Sequence, residues 1–428
     1  MMIKRRYISR LFSGVIITSL TLLLCGCNKK YYKYNGEIYE DSYDFKDDYG
    51  YIYLEKTDTK IAKLYEKIYL NMVDFNHKKQ DVNPKEAKTL FLEGSFIDGP
   101  YDYDELYKGY AYLTAWHPEF YWMNYYMDEE NKNYSLGISE PYLKSIERKK
   151  FDKKVSDGLD KFDKLVENID DEFDKIKVLS DYIMDNMYYA FEGGVPSQSE
   201  WAHNIIGFFD RGTGVCESYA KVFKLVCDRY NIGNIPVTSE DHIWNLVEYD
   251  NKWYTIDLTF ADDNNYAFFG VPDSSLDDVD HIYHRDLYEL PKNMAVMPLS
   301  FTSIDLKENG NIIHSTHSMD GIYNLFTNGN YEVVFNSNDN DGGITNIYIS
   351  YIDMDYTTLT FKANVKEGEH IILNITKNMT LEKDVTFENM TIHSAKNKKK
   401  ITTTGTIYLK NSTFSSAMVI DGNVVNVE

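Results

Sequence analysis

Three residues of this 428-residue chain have the types and order that thiol chemistry on a carbonyl needs: Cys216, His242 after 26 residues, and Asp257 after a further 15. The thiolate would be the nucleophile, the imidazole would take and return its proton, and the carboxylate would fix the imidazole tautomer. Gly212, Thr213 and Gly214 interrupt any helix before the cysteine, whereas Tyr219, Ala220, Phe223, Val226, Cys227 and Tyr230 recur at helical spacing after it. That pattern puts Cys216 at a helix N-terminus, where unpaired backbone N–H groups and the positive dipole end favour a thiolate.

The elements around these residues are legible in turn. Gly233 ends the helix, and residues 235–238, 242–249 and 253–258 read as three short strands, the last two joined by an Asp250-Asn251 turn suited to a tight hairpin. In such a hairpin His242 lies far from the turn with Asp257 opposite it, and cross-strand neighbours have Cβ atoms roughly 4.5–5.5 Å apart. Two of the three groups are therefore expected to meet through local geometry alone.

The segment resembles the transglutaminase-like core of many bacterial surface proteins. The matching blocks are Val215-Cys216-Glu217-Ser218-Tyr219-Ala220 with Phe223 and Leu225, then His242-Ile243-Trp244-Asn245-Leu246-Val247, then Trp253-Tyr254-Thr255-Ile256-Asp257-Leu258-Thr259-Phe260. The resemblance implies a papain-like α+β fold with Cys216, His242 and Asp257 as the triad. Ser218, Ile243 and Phe260 stand where the pattern has Gly, Ala and Trp; none touches the triad, and each could reshape the pocket.

Composition bounds the partners. A formal charge of −22, with no acidic residue among the first 26, argues against nucleic acid, whose phosphates need a basic face. The N-terminus carries Lys4, Arg5, Arg6 and Arg10, an apolar run over residues 11–24, and then Leu24-Cys25-Gly26-Cys27. This reads as a secretory signal, and Leu24-x-Gly26-Cys27 resembles the bacterial lipobox, which implies lipidation at Cys27. A lipid-anchored chain on the extracytoplasmic face is the expectation, with an uncleaved membrane anchor as the alternative. Cys216 and Cys227 cannot pair along one helix, since 11 residues span about 16 Å and a disulfide needs less than about 7 Å. Cys227 shares the apolar stripe with Phe223 and reads as a core residue.

The expected organisation is a signal peptide over residues 1–26, a spacer over 27–55 and an α-rich region over 56–145. The transglutaminase-like core follows over 146–298, and an all-β domain over 299–428. Helices are expected over residues 61–75, 105–116, 151–169 and 173–187, with a strand at 90–95. The aromatic run of residues 111–122 resembles a stretch upstream of this core in related proteins and is expected to pack between domains; His117 within it receives no catalytic role. Gln198 and Trp201 are the nearest candidates for a second oxyanion donor beside the Cys216 N–H, and His203 reads as structural. His281 and His284 lie beside Asp280 and Asp286, but without a third spaced ligand a surface loop is favoured over a metal site.

Beyond residue 298 aromatics fall and alternation appears. Residues 339–343 read as a hairpin loop rather than a Ca²⁺ site. Asn378-Met379-Thr380-Leu381, Asn389-Met390-Thr391-Ile392 and Asn411-Ser412-Thr413-Phe414 share one pattern at steps of 11 and 22 residues. Such spacing suggests a short β-solenoid, with a β-sandwich as the competing reading.

If the triad assembles, the product of attack is a thioester. Water then makes the protein a peptidase or amidase, an amine makes it a crosslinking transamidase, and a chain that turns over nothing would be a binding module on the same fold. The expected partner is a protein or peptide substrate, cell-wall peptides among the candidates. The chemistry calls for no cofactor and no metal.

Overall fold

The computed structural model describes residues 30–34, 37–41, 49–95, 99–128, 130, 132–263, 266–276, 279–282, 291–337, 344–352, 354–395 and 397–428. The leader with Cys25 and Cys27, the position of His284 and the loop at residues 339–343 lie outside them. Among the described residues no helix is long and apolar enough to cross a membrane. The chain divides into two compact units, residues 1–154 with 285–290, and residues 155–284 with 291–428.

In the first unit Lys30–Tyr34 and Glu37–Asp41 pair antiparallel, and helix α1 runs over Tyr49–Thr57. The featureless spacer expected there is thus partly structured, because tyrosine-rich runs with alternating charge pair as readily as they extend. Helix α2 (Thr59–Lys78) starts where the Asp58 carboxylate accepts the N–H groups of Lys60 and Ile61. It buries the expected stripe of Ile61, Leu64, Tyr65, Ile68, Met72 and Phe75. Helix α3 (Tyr103–Trp116) opens with a reciprocal capping box between Asp102 and Glu105. The strands Leu92–Ser95, Asn133–Ile138 and Met123–Asp128 form an antiparallel sheet. The aromatic run at 111–122 packs within this unit, its rings meeting Tyr69, Phe75 and Phe91. Apolar burial inside one unit accounts for it.

The second unit carries the thiol segment. Helix α4 (Ser145–Val166) runs across the division at residue 154, and α5 (Glu172–Asp185) follows it after Asp170-Asp171, where Asp171 caps α5 by accepting the Asp174 N–H. Helix α6 (Cys216–Arg229) buries Tyr219, Phe223, Val226 and Cys227 as its spacing foretold. It packs on a four-stranded antiparallel sheet of Asn234–Thr238, Ile243–Tyr249, Lys252–Ile256 and Phe269–Val271. Asp250 and Asn251 both take positive φ, 48° and 57°, as a two-residue hairpin turn requires.

Two sequence expectations shift here. The third strand ends at Ile256 rather than 258, because Asp257 turns the chain into helix α7 (Leu258–Asp263) by accepting the Thr259 and Phe260 N–H groups. The register pairs Asn245 with Ile256. Asp257 therefore falls across from Trp244, and His242 is its diagonal neighbour, still within reach of a long side chain.

The C-terminal part begins as an antiparallel hairpin of Ser303–Glu308 and Asn311–Thr316. Parallel stacking follows: Gly329–Asn336, Tyr356–Asn364, Val385–Glu388, Lys399–Lys410 and Met418–Val427 form one ladder. Ile344–Ile349, His370–Ile375, Thr391–Ser394 and Thr413–Phe414 form the other. Parallel ladders of this kind are solenoid coils and not a sandwich, whose hairpins pair antiparallel. Asn389 and Asn411, 22 residues apart, sit one coil above the other, joined amide to amide at 3.0 Å. Inside, Phe335, Phe361 and Phe387 stack with ring planes tilted by only 9° and 14°.

Candidate active site

Cys216 owes its position to the backbone before it. Gly212 turns at φ 64°, and Thr213–Gly214 form a short parallel bridge with Tyr188–Tyr189. Val215 adopts an extended conformation and no side chain caps the helix start, so the first N–H groups of α6 remain beside Cys216. Ser218, one of the departures from the family pattern, is fully buried and donates to the Asn204 carbonyl at 2.7 Å. Space for it comes from two glycines: a Cβ at Gly214 would lie 2.4 Å from the Ser218 Cβ, and one at Gly207 would lie 2.8 Å from its Oγ.

The strand that follows His242 is locked to α6 by Asn245. Its amide donates to the Ala220 carbonyl at 3.2 Å and to Asn234 Oδ1 at 2.8 Å, all inside the core. His242 then lies beside Cys216, whose charge acts on its ring. Phe260 and Trp244 stack on the imidazole at 4.9 and 5.7 Å. Asp257 Oδ2 accepts from His242 Nε2 at 2.6 Å. With Nε2 committed to the carboxylate, Nδ1 is the nitrogen left for the thiol. The structure thus brings His242 onto Asp257 and places Cys216 beside the imidazole.

Electrostatics favour a charged imidazole. Burial opposes the charge on His242, but the hydrogen bonds and charges of Asp257 and Cys216 outweigh it and push its pKa up to about 10. Burial also opposes ionisation of Asp257, yet the two imidazoles and the backbone N–H groups hold its carboxyl below the usual carboxylate range.

Two residues at the site were not read from the sequence. His281, in the turn Val279–His281, is wholly buried and places Nε2 2.9 Å from the same Asp257 Oδ2. The expected surface loop is therefore corrected at this position, since a buried carboxylate draws the imidazole inward. Tyr189, which pairs with Gly214, lies beside Cys216, whose charge acts on its phenol. Burial first, and then the Cys216 charge, push the phenol up to about 12, so it stays a proton donor. Sequence reading offered Gln198 and Trp201 for that role. The Gln198 amide instead lies 3.4 Å from the Pro196 carbonyl, and Trp201 packs beside Ala190 and Val215 under the Arg211 guanidinium. His203 is structural as expected, bridging Glu217 and the Ser197 carbonyl.

His242, Asp257 and His281 also have the composition of a metal site, with ligand atoms within 4.8 Å of one another. The two nitrogens, however, are aimed at one shared oxygen at hydrogen-bond distances, which is the arrangement of two donors on an acceptor. Cys227 lies fully buried, where desolvation pushes its thiol well up.

No family model and no curated protein sequence matches this chain. Three solved chains match it, one of them described as the crystal structure of a TGase. That one is 14% identical, covers 32% of this chain and 43% of its own, and has a TM-score of 0.24. The aligned part is less than half of that structure, and at this score the likeness carries no argument.

Proposed function

We propose that this protein is a transglutaminase-like cysteine hydrolase that cleaves amide bonds in protein or peptide substrates outside the cytoplasm, anchored through a lipid on Cys27. The observation that carries the reading is the relay itself: a thiol at the start of α6, an imidazole beside it, and a buried carboxylate 2.6 Å from that imidazole's Nε2.

Each step has a residue. The Cys216 thiolate forms a C–S bond to the amide carbonyl while His242 carries the proton. The tetrahedral oxyanion takes the Cys216 backbone N–H and the Tyr189 hydroxyl as donors. Collapse breaks the C–N bond as His242 Nδ1–H protonates the leaving amine, leaving a thioester. Water, deprotonated by His242, then releases the acid and restores the thiol. Asp257 keeps the ring oriented throughout.

The test is alkylation of Cys216 against pH in the full chain, with Cys227 as internal comparison and His242→Ala as control. The reading requires fast reaction at Cys216 at a pH where ordinary thiols, ionising near about 8.5, are slow, and a clear loss in the variant. A rate like that of an ordinary thiol, unchanged by His242→Ala, overturns it. Ammonia release with and without a primary amine then separates hydrolysis from transamidation.

A further inference from the structure

We propose that His281 is a positioning residue for Asp257: it occupies the second acceptor site of Oδ2 and so holds the carboxylate in the one orientation that serves His242. The inference rests on the thiol reading above. Asp257 has room for about four donors. Thr259 and Phe260 N–H groups fill Oδ1 at 2.9 and 3.2 Å, and His242 and His281 fill Oδ2 at 2.6 and 2.9 Å.

Packing alone does not call for a histidine here. The ring is wholly buried in an aromatic box, stacked on Phe268 at 5.1 Å and edge-on to Trp244 and Phe260 at 4.9 and 5.1 Å. A phenylalanine would fill that box with less desolvation. What phenylalanine cannot supply is the N–H aimed at Oδ2. Without it, a buried lone pair is left uncovered and the carboxylate is free to rotate away from His242. The box is shared: Trp244 and Phe260 also stack on His242, so His281 braces the ring platform as well as its anion. Asp257 Oδ2 is faced by His242, just before its strand, and by His281 on the other side, while Oδ1 faces the turn into α7.

The experiment compares the pH profile of Cys216 alkylation in the full chain for wild type, His281→Phe, His281→Gln and His281→Asn. Glutamine offers an N–H near the Nε2 position, whereas asparagine is too short to reach it. Loss of the donor makes the Asp257 anion harder to keep, so the acid limb of the profile should move to higher pH and the plateau should fall about tenfold in His281→Phe and His281→Asn. His281→Gln should restore the wild-type limb. If His281→Phe fails to fold, the Gln and Asn pair decides by the same limb. Unchanged limbs in the Phe and Asn variants, even with lowered melting temperatures, reduce His281 to packing and overturn the proposal. Equal shifts in the Gln and Asn variants overturn it too. His242→Ala run in parallel keeps the two readings apart: an effect there with none at His281 defeats this inference alone.

Discussion

The thiol site and the parallel coils both line up polar side chains, the first in a packed interior and the second largely at the surface, and they do so in opposite ways. At the site a single buried carboxylate takes four donors, two from the adjoining turn and two from imidazoles 15 and 24 residues away in sequence. Nothing repeats, and each donor has one task. In the coils asparagines pair with asparagines one turn on, Asn346 with Asn374, Asn336 with Asn364, and Asn389 with Asn411, at 2.9–3.0 Å. There each rung does the work of its neighbours. An arrangement centred on one anion is fragile at single positions, whereas stability spread over rungs is not.

Four substitutions or conditions sharpen or break this contrast, beyond the His281 series. The largest effect belongs to Cys216→Ala, which should remove turnover by about three orders of magnitude or more while leaving the unfolding midpoint nearly unchanged. Hydrolysis assays beside thermal melts check both halves, and a variant that keeps turnover breaks the assignment of the thiol.

Next comes Phe361→Ala in the middle of the ring stack. Emptying that position should cost about 3–5 kcal/mol in denaturant unfolding. The pH profile of Cys216 alkylation in the folded protein should stay as it was. A shifted profile would mean that the coils shape the thiol site.

The third effect is one of pH. His242 is held near about 10 in the fold, against about 6.5 for an unfolded histidine. A group whose pKa rises on folding contributes its stability fully below the unfolded value and loses it as pH climbs through the folded one. Denaturation curves of wild type and His242→Gln should therefore differ most near pH 6 and draw together by about pH 10.5. Curves that stay parallel across that range would show that folding leaves the His242 pKa where it is in the unfolded chain.

The smallest effect is expected at Asn411, whose φ of 47° lies in the left-handed region. Asn411→Ala should cost about 1–2 kcal/mol, the penalty of placing a Cβ there. Asn411→Gly should recover most of it, because the strain is in the backbone and the lost amide rung is one among several. A Gly variant as unstable as the Ala one would place the cost in the ladder instead.

How far the sequence could be read depends on distance along the chain. The helix after Cys216, the hairpin turn at Asp250-Asn251 and the stripe of α2 follow from periodicity and turn chemistry, which act over a few residues. The Asn-x-Thr repeat pointed to coils because a 22-residue step is itself a local regularity, although choosing coils over a sandwich needed the parallel pairing. Asp257 was legible as a partner of His242, but its turn into α7 was not. A strand pattern does not reveal that an aspartate will cap the helix behind it.

Sequence by itself determined the order of Cys216, His242 and Asp257 and most of the elements that carry them, because a thiol at a helix start and two residues about one hairpin are set by local spacing. Tertiary structure alone decided that His281 turns inward onto Asp257, that Tyr189 comes to lie beside Cys216 while Gln198 turns to the Pro196 carbonyl, and that Ser218 fits between Gly207 and Gly214. These outcomes depend on burial. A buried anion gains more from a distant donor than a loop loses by bending inward, and that balance exists only once the surrounding rings have closed around it.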